Sequence, residues 1–477
     1  MAAISRLRRG HIIAVTICRP AGLGEISRRI AVLGGHASGP PYCSTVCSSG
    51  RYQLRIRSLR HDLQTYTETT LNLRALPIVE HWDCRHCSAC CRETTIQLNR
   101  DDLARLQQQK WDEHPDYRGI RTVRRALGLA GSPVLDHKPD GSCVFLTNNS
   151  RCRIHEMFGP DAKPFMCRQF PLQIVASDRG AFATVARSCP SAVADRGRPI
   201  EQHLPFLRRL FRDDLAQTAM AVPPPILGRT TRTWDDFHRL ANALQRLLTD
   251  ARMPLVRRLV HSLKFCSALE QCKWKRVGTD AVVDLAELFE QSAPNDNTEL
   301  FQHRQPPAKS TERLFRRLGA HFIRCVPGGP PTRTLVDHWR AFRESGRLAR
   351  AIGKSPELHP QFPAVGLDQL ERPLGPLADE VLGPLSRYYE SHAVSNRYLL
   401  SQPKSPFVAS VRRLAFSYPM AMWMLRWLAI DRQPTADDMI VIVVALERGS
   451  SMPALNRAGN FLAESGQLER LIAWYGR

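Results

Sequence analysis

The stretch Cys84-Arg85-His86-Cys87-Ser88-Ala89-Cys90-Cys91 constrains this chain of 477 residues more than any other. Three cysteines recur at every third position and a fourth follows at once. Thiolates at C-x2-C spacing sit on one tight loop and can grip a single soft metal centre, as in zinc and iron–sulfur sites. Cys143, Cys152, Cys167 and Cys189 come later, so eight of the fourteen cysteines fall between 84 and 189. Each ligating thiol has to be deprotonated, and a bound cation strongly favours that form. The region reads as a metal-nucleated module, with the rest of the chain as its support.

Composition narrows the setting. Fourteen cysteines are too few for a disulfide-stapled secreted scaffold of this length, and their clustering points to ligands in a reducing compartment, hence the cytoplasm. A net charge of +22 arises from 67 basic against 45 acidic residues, and only nine of the basic ones are lysine. That balance suits acidic partners. The arginines are nevertheless spread along the chain without a dense basic run or an RNA-binding signature, so nucleic acid is not the expected partner. No stretch reaches the roughly 18–20 apolar residues of a spanning helix. Residues 439–446 are apolar but short, and 415–430 are interrupted by Pro419 and Arg426, so no transmembrane segment is expected.

Residues 1–70 read as a poorly ordered basic extension. Gly34-Gly35, Gly39-Pro40-Pro41 and Ser48-Ser49-Gly50 are loop chemistry there, and Cys43 and Cys47 are expected to be unpaired and exposed. Residues 78–83 lead as an extended segment into the first cysteine loop. Thr94 to Leu98 alternates as a half-buried strand would, and Asn99 suits a helix N-cap followed by Asp101 and Asp102. Asn148-Asn149-Ser150 turns the chain between 142–146 and 151–155, which predicts a β-hairpin that brings Cys143 and Cys152 together. Beyond Pro190 the pattern is helical. Leu204, Leu207, Leu210 and Phe211 share one face. Thr233 opens a helix striped with Phe237, Leu240, Leu244 and Leu247. Further helices are expected over 281–290, 335–352, 385–400, 408–430 and 435–446, with Pro419 kinking or splitting the fourth. The fold class is therefore α+β: a cysteine-cluster metal-binding domain over 78–200, then a mostly α-helical domain over 201–477.

Spacing alone leaves the ligand sets open. Cys84, Cys87 and Cys90 make the best single loop, and Cys167 has Arg168 beside it, so these four are the first choice. Eight thiols would fit two four-cysteine zinc sites, one 4Fe–4S cluster with spare thiols, or a mixture. Cys90 and Cys91 are adjacent and tend to point apart, so one of them serves a second centre or none. Arg85, Arg92, Arg151, Arg153 and Arg168 flank the cysteines and could offset the charge of the thiolates. Arg168 is the candidate for holding the bound group, through a hydrogen bond to a ligand sulfur or as a support behind the ligands. His86 and His155 could replace a thiolate but are expected as ordinary surface residues. Cys266, Cys272 and Cys325 are expected to pack as small apolar groups.

These residues resemble a known family. The run Cys84-x2-Cys87-x2-Cys90-Cys91, then Cys143-Val144-Phe145-Leu146, Cys152-Arg153-Ile154 and Lys163-Pro164-x2-Cys167-Arg168-Gln169-Phe170-Pro171 is similar to the zinc- or iron-chelating cysteine-cluster (CxxCxxCC) family. Ser188-Cys189-Pro190 also looks like the flagellin lysine N-methylases, which share this cysteine domain. Arg387 to Glu390 and Tyr398 to Leu400 resemble their C-terminal half. His155 stands where the family commonly has tyrosine. The resemblance implies a bound metal or cluster, with iron–sulfur preferred over zinc because the methylases are thought to carry a cluster. It also implies methyl transfer from S-adenosylmethionine to a protein substrate with exposed lysines. No glycine-rich loop between strand and helix supports a nucleoside site independently, so a non-enzymatic metal or iron–sulfur protein is the alternative.

Overall fold

Backbone pairing begins just ahead of the first cysteine loop. The computed structural model describes residues 72–126, 131–211, 222–274, 278–292, 299–329, 335–350 and 353–477. The extension expected over 1–70, with Cys43 and Cys47, lies outside the described residues. Seven short strands follow: β1 (Leu73–Ala75), β2 (His81–Trp82), β3 (Val123–Arg125), β4 (Pro133–Leu135), β5 (Leu172–Ser177), β6 (Gly180–Val185) and β7 (Arg198–Pro199). They form a three-stranded sheet in the order β1-β6-β5 and two antiparallel pairs, β2 with β7 and β3 with β4. β1 runs parallel to β6, whereas β5 and β6 are an antiparallel hairpin. Sequence reasoning had no element over 172–185. Its signal is two six-residue runs rich in Val, Ala, Phe and Thr around Asp178-Arg179-Gly180, with Gly180 at φ 126°, where side chains are disfavoured.

Six short helices thread the same region: α1 (Ala89–Glu93), α2 (Arg100–Gln108), α3 (Arg153–Phe158), α4 (Phe165–Gln169), α5 (Pro190–Val193) and α6 (Leu204–Leu210). Asn99 caps α2 as expected, accepting from the Asp102 N–H at 2.7 Å while Asp102 accepts in return from the Asn99 N–H at 3.3 Å. Ile96 and Leu98 are buried while Gln97 faces outward, the alternation read from the sequence. The expected hairpin at 142–155 forms only in part. Leu146 and Cys152 make a single antiparallel bridge and Thr147 N–H donates to Arg151 O at 2.8 Å. Cys152 then starts α3 instead of a strand. Helical geometry carries Ile154 into a cluster with Trp111, Tyr117 and Phe145, burial that a second strand arm would have to match.

The remainder is helical: α7 (Trp234–Thr249), α8 (Leu255–Gln271), α9 (Thr279–Ser292), α10 (Glu299–Gln302), α11 (Lys309–Arg324), α12 (Leu335–Arg350), α13 (Asp379–Ser395), α14 (Arg397–Leu400), α15 (Phe407–Leu428), α16 (Ala436–Gly449), α17 (Pro453–Glu464) and α18 (Gln467–Tyr475). The fold is thus α+β, a cysteine-rich module followed by helices. Thr233 caps α7 by accepting from Asp236 N–H at 3.2 Å. Every residue from 407 to 427 is buried, so α15 is the axis around which its neighbours pack. Pro419 does not split it: α15 is one helix, and packing on all sides outweighs the ~3 kcal/mol that an interior proline costs. The helix expected over 385–400 is broken instead at Asn396, whose φ of 53° ends α13 and starts α14. Cys266 is fully buried in the helical core, and Cys272 and Cys325 pack partly buried against it. Among the described residues no helix is long and apolar enough to cross a membrane.

A buried polar hub joins the cysteine region to the helices. The Glu80 carboxylate accepts from Arg187 Nη2 at 2.5 Å, Thr184 Oγ1 at 2.7 Å and Ser391 Oγ at 2.8 Å. Glu80 and Arg187 are only 3% and 2% exposed. The strand that delivers the first cysteine loop is thereby tied to α13.

Candidate metal centre

The first loop is anchored at its entry. Asp83 accepts from Arg198 Nη2 at 2.7 Å and from the Arg198 N–H at 2.9 Å, and the Arg198 side chain beside it lowers its pKa. Gly197, at φ 129°, lets the two backbones meet: a Cβ there would stand 2.4 Å from the Asp83 nitrogen. The loop then bends through His86 and Ser88, both left-handed at φ 53° and 55°. This leaves Cys84 and Cys87 exposed and turns the chain into α1, which carries Cys90 and Cys91. Their sulfurs are 3.9 Å apart.

The later cysteines come to α1 through backbone contacts. The Cys143 N–H donates to Cys91 O at 2.5 Å, and the bridge between Leu146 and Cys152 holds the next thiol beside it. Cys167 rides on α4, whose start is fixed by Phe165 N–H donating to Asp102 Oδ1 at 2.8 Å. Cys143, Cys152 and Cys167 all pack, partly buried, against the cluster around Trp111 and Phe145.

Burial and the neighbouring charges shift these thiols. The hydrogen bond shared with Cys90 raises the pKa of Cys91, and burial and the charges of Cys90, Cys143 and Cys152 push it further. Burial raises Cys143 to about 12, with Cys152 and Cys90 adding to the rise. Cys167 is raised well above the ordinary thiol value by burial, then by Cys143, Cys152 and Cys90. Cys90 alone is drawn down, to about 7, by the Cys91 hydrogen bond, with Lys163 and Arg448 helping against burial. Cys189, raised to about 11 by burial, feels Cys87 and Cys90. Cys90, Cys91, Cys143, Cys152 and Cys167 thus stand within electrostatic reach of one another, with Cys87 and Cys189 within reach of Cys90.

Thiols whose ionisation is opposed by burial and by one another are what a bound cation would hold as thiolates, and an all-sulfur donor set suits zinc or iron. By donor chemistry the residues fit such a group. Among the described residues no three His, Cys, Asp or Glu side chains already form an ion cage. Of the first-choice set, Cys90 and Cys167 are half-buried and within electrostatic reach of each other, whereas Cys84 and Cys87 stay on the exposed loop.

The charges around the thiols are only partly those expected from sequence. Arg153 pairs with Asp116 at 3.0 Å, Arg92 reaches Ser88 Oγ at 3.2 Å, and Arg85 and Arg151 are exposed. The charges acting on Arg168 are Arg105, Asp102 and Asp161, and its Nε is buried with no hydrogen-bond partner among the described residues. Lys163 and Arg448 are the cations that act on Cys90. Lys163 opens the run that carries Cys167, but Arg448 comes from α16, far along the chain, and had no local signal. It reaches the cysteine region by donating from Nη2 to Ser188 O at 3.4 Å. Burial, then Lys163 and His86, lowers the pKa of His155.

Residues 83–190 match the model of the CxxCxxCC family, described as a "putative zinc- or iron-chelating domain". The matched span runs from the residue before Cys84 to the residue after Cys189 and so contains all eight clustered cysteines. No curated protein and no solved structure matches the chain.

Proposed function

We propose that the zinc- or iron-chelating domain at residues 83–190 holds a thiolate-bound centre whose ligands are drawn first from Cys90, Cys143, Cys152 and Cys167. The supporting observation is that Cys143, Cys152 and Cys167 pack against one apolar cluster, that a backbone hydrogen bond from Cys143 to Cys91 brings α1 to it, and that Cys90 lies within electrostatic reach of Cys143 and Cys167. Cys84, Cys87 and Cys189 complete the set of eight, enough for a second centre or for exchange with the first. An iron–sulfur cluster is the preferred occupant. The donor set supports zinc equally, and the preference rests on the likeness of Ser188-Cys189-Pro190 to the methylases. Lys163 and Arg448 supply positive charge beside Cys90, which lowers the cost of gathering thiolates there.

Anaerobic purification followed by metal analysis and a visible spectrum tests this reading. Iron with sulfide and a brown colour supports the cluster, and stoichiometric zinc in a colourless protein supports a structural site. A folded protein that retains neither metal refutes both. Lysine methylation is a finer reading carried by sequence likeness at 387–390 and 398–400. Transfer of label from S-adenosylmethionine to a lysine-rich protein would support it, and its absence would leave a non-enzymatic metal protein.

A further inference from the structure

A cavity of about 360 Å³ lies between β5 and the helices α13 to α16. It does not contain the cysteines, although Gln169 and Gln173 on its wall follow Cys167 closely. Volumes of roughly 300–1,000 Å³ with an apolar lining and a few polar groups are typical of small-molecule sites. Phe322, Leu414, Leu446 and Leu455 supply the apolar wall. The polar wall is built from charges that are almost wholly buried.

Those charges do not balance. Glu447 is engaged by Arg397 Nη2 and by His392 Nε2, the latter at 3.2 Å, so this anion and this cation neutralise each other. His392 is buried and held neutral beside Arg397. Arg413 is the second cation on the wall and is 9% exposed. Of its five N–H groups, three are engaged, all by neutral acceptors: Gln402 Oε1 at 2.6 Å, Asn456 Oδ1 at 3.0 Å and Tyr398 O at 3.0 Å. Among the described residues no carboxylate touches Arg413. Glu447 lies within electrostatic reach, but Arg397 and His392 hold its oxygens. A buried cation without a counter-charge is expensive, and three neutral bonds fix its guanidinium in place at the cavity wall.

We propose that this cavity is a binding site for a small organic monoanion, a carboxylate with an apolar body, whose charge is met by Arg413. The apolar body would lie against Phe322, Leu414, Leu446 and Leu455. The inference stands on the cavity and its charges and is independent of what the cysteines bind.

The test is calorimetric titration of the full chain with 3-phenylpropionate, its neutral amide and the matching 3-phenylpropylamine. The carboxylate should bind at least about tenfold more tightly than the amide, the gain expected of a charge-assisted contact, and the amine should be the weakest. Arg413→Gln should bring carboxylate and amide to within about threefold, and Arg413→Lys should keep a preference for the carboxylate. Hydrogen exchange on the wild-type chain serves as the second readout, in case Arg413→Gln does not fold. The carboxylate should protect peptides over 397–402 and 446–450. Equal affinities for the three compounds, protection confined to other segments, or a folded Arg413→Gln protein that still prefers the carboxylate would each overturn the proposal.

Discussion

Replacing Glu80 by leucine should cost more stability than any single surface substitution in the cysteine region. The change removes a carboxylate that accepts from Arg187, Thr184 and Ser391 inside the protein. Arg187 would keep the Ala192 carbonyl, at 2.7 Å, but lose its counter-charge. Breaking a buried pair from one side costs about 3–5 kcal/mol, because the remaining ion stays desolvated. That is a fifth or more of the ~5–15 kcal/mol that holds a typical protein folded. Removing both ions is a different perturbation: Glu80→Leu with Arg187→Met should be less destabilising than Glu80→Leu alone, since no unpaired ion stays buried, and what remains is the cost of the Thr184 and Ser391 hydroxyls and the Ala192 carbonyl that lose their partners. The exposed pair Asp83 and Arg198 is the internal control, and Asp83→Asn should cost at most about 1 kcal/mol. Urea unfolding followed by circular dichroism measures all three. A loss below about 1 kcal/mol for Glu80→Leu, or a double variant as unstable as the single, would refute the account of the hub.

Stability should fall steadily on acidification. Burial and then Arg397 hold the folded-state pKa of His392 at about 4, below its ordinary 6.5, so the unfolded chain takes up that proton first and stability drops from about pH 6.5. Burial raises Glu447, but Arg397 and His392 override it and bring the pKa to about 2, so a second loss begins near its ordinary 4.5. Unfolding curves at a series of pH values should show both losses, and Glu447→Gln should remove the lower one. Gly319→Ala should destabilise by about 1–2 kcal/mol: its Cβ would stand 2.5 Å from Trp423 Cζ3 in the fully buried core, and overpacking outweighs the ~1 kcal/mol gained in helix propensity. A raised melting temperature for that variant would show that the Trp423 contact yields. Chelation of the metal should melt the cysteine region while α15 and its neighbours stay folded, read as loss of exchange protection over 84–170 but not over 407–427.

The zinc- or iron-chelating domain was legible because the Cys84–Cys91 spacing is written in eight consecutive residues, and so were the caps at Asn99 and Thr233, whose partners lie three residues away. Apolar stripes likewise marked most of the long helices. What escaped notice depends on distant partners. The 172–185 hairpin is short, with β6 paired on both edges, and so carries little periodic signal. Pro419 reads locally as a helix breaker, and only the packing around α15 overrules it. Cys152 could end a strand or start a helix, and the fate of Ile154 decides between them. Arg448 and the Arg413 cavity are assembled from helices hundreds of residues beyond the cysteines, where no motif spacing points to them.

X-ray absorption at the metal edge, on protein purified anaerobically, tests the central claim most directly. The account predicts a first shell of sulfur only, at about 2.3 Å if the metal is zinc, and loss of the metal when Cys90, Cys143, Cys152 and Cys167 are all replaced by serine. A first shell of nitrogen or oxygen, or metal retained in full by that fourfold variant, would contradict it.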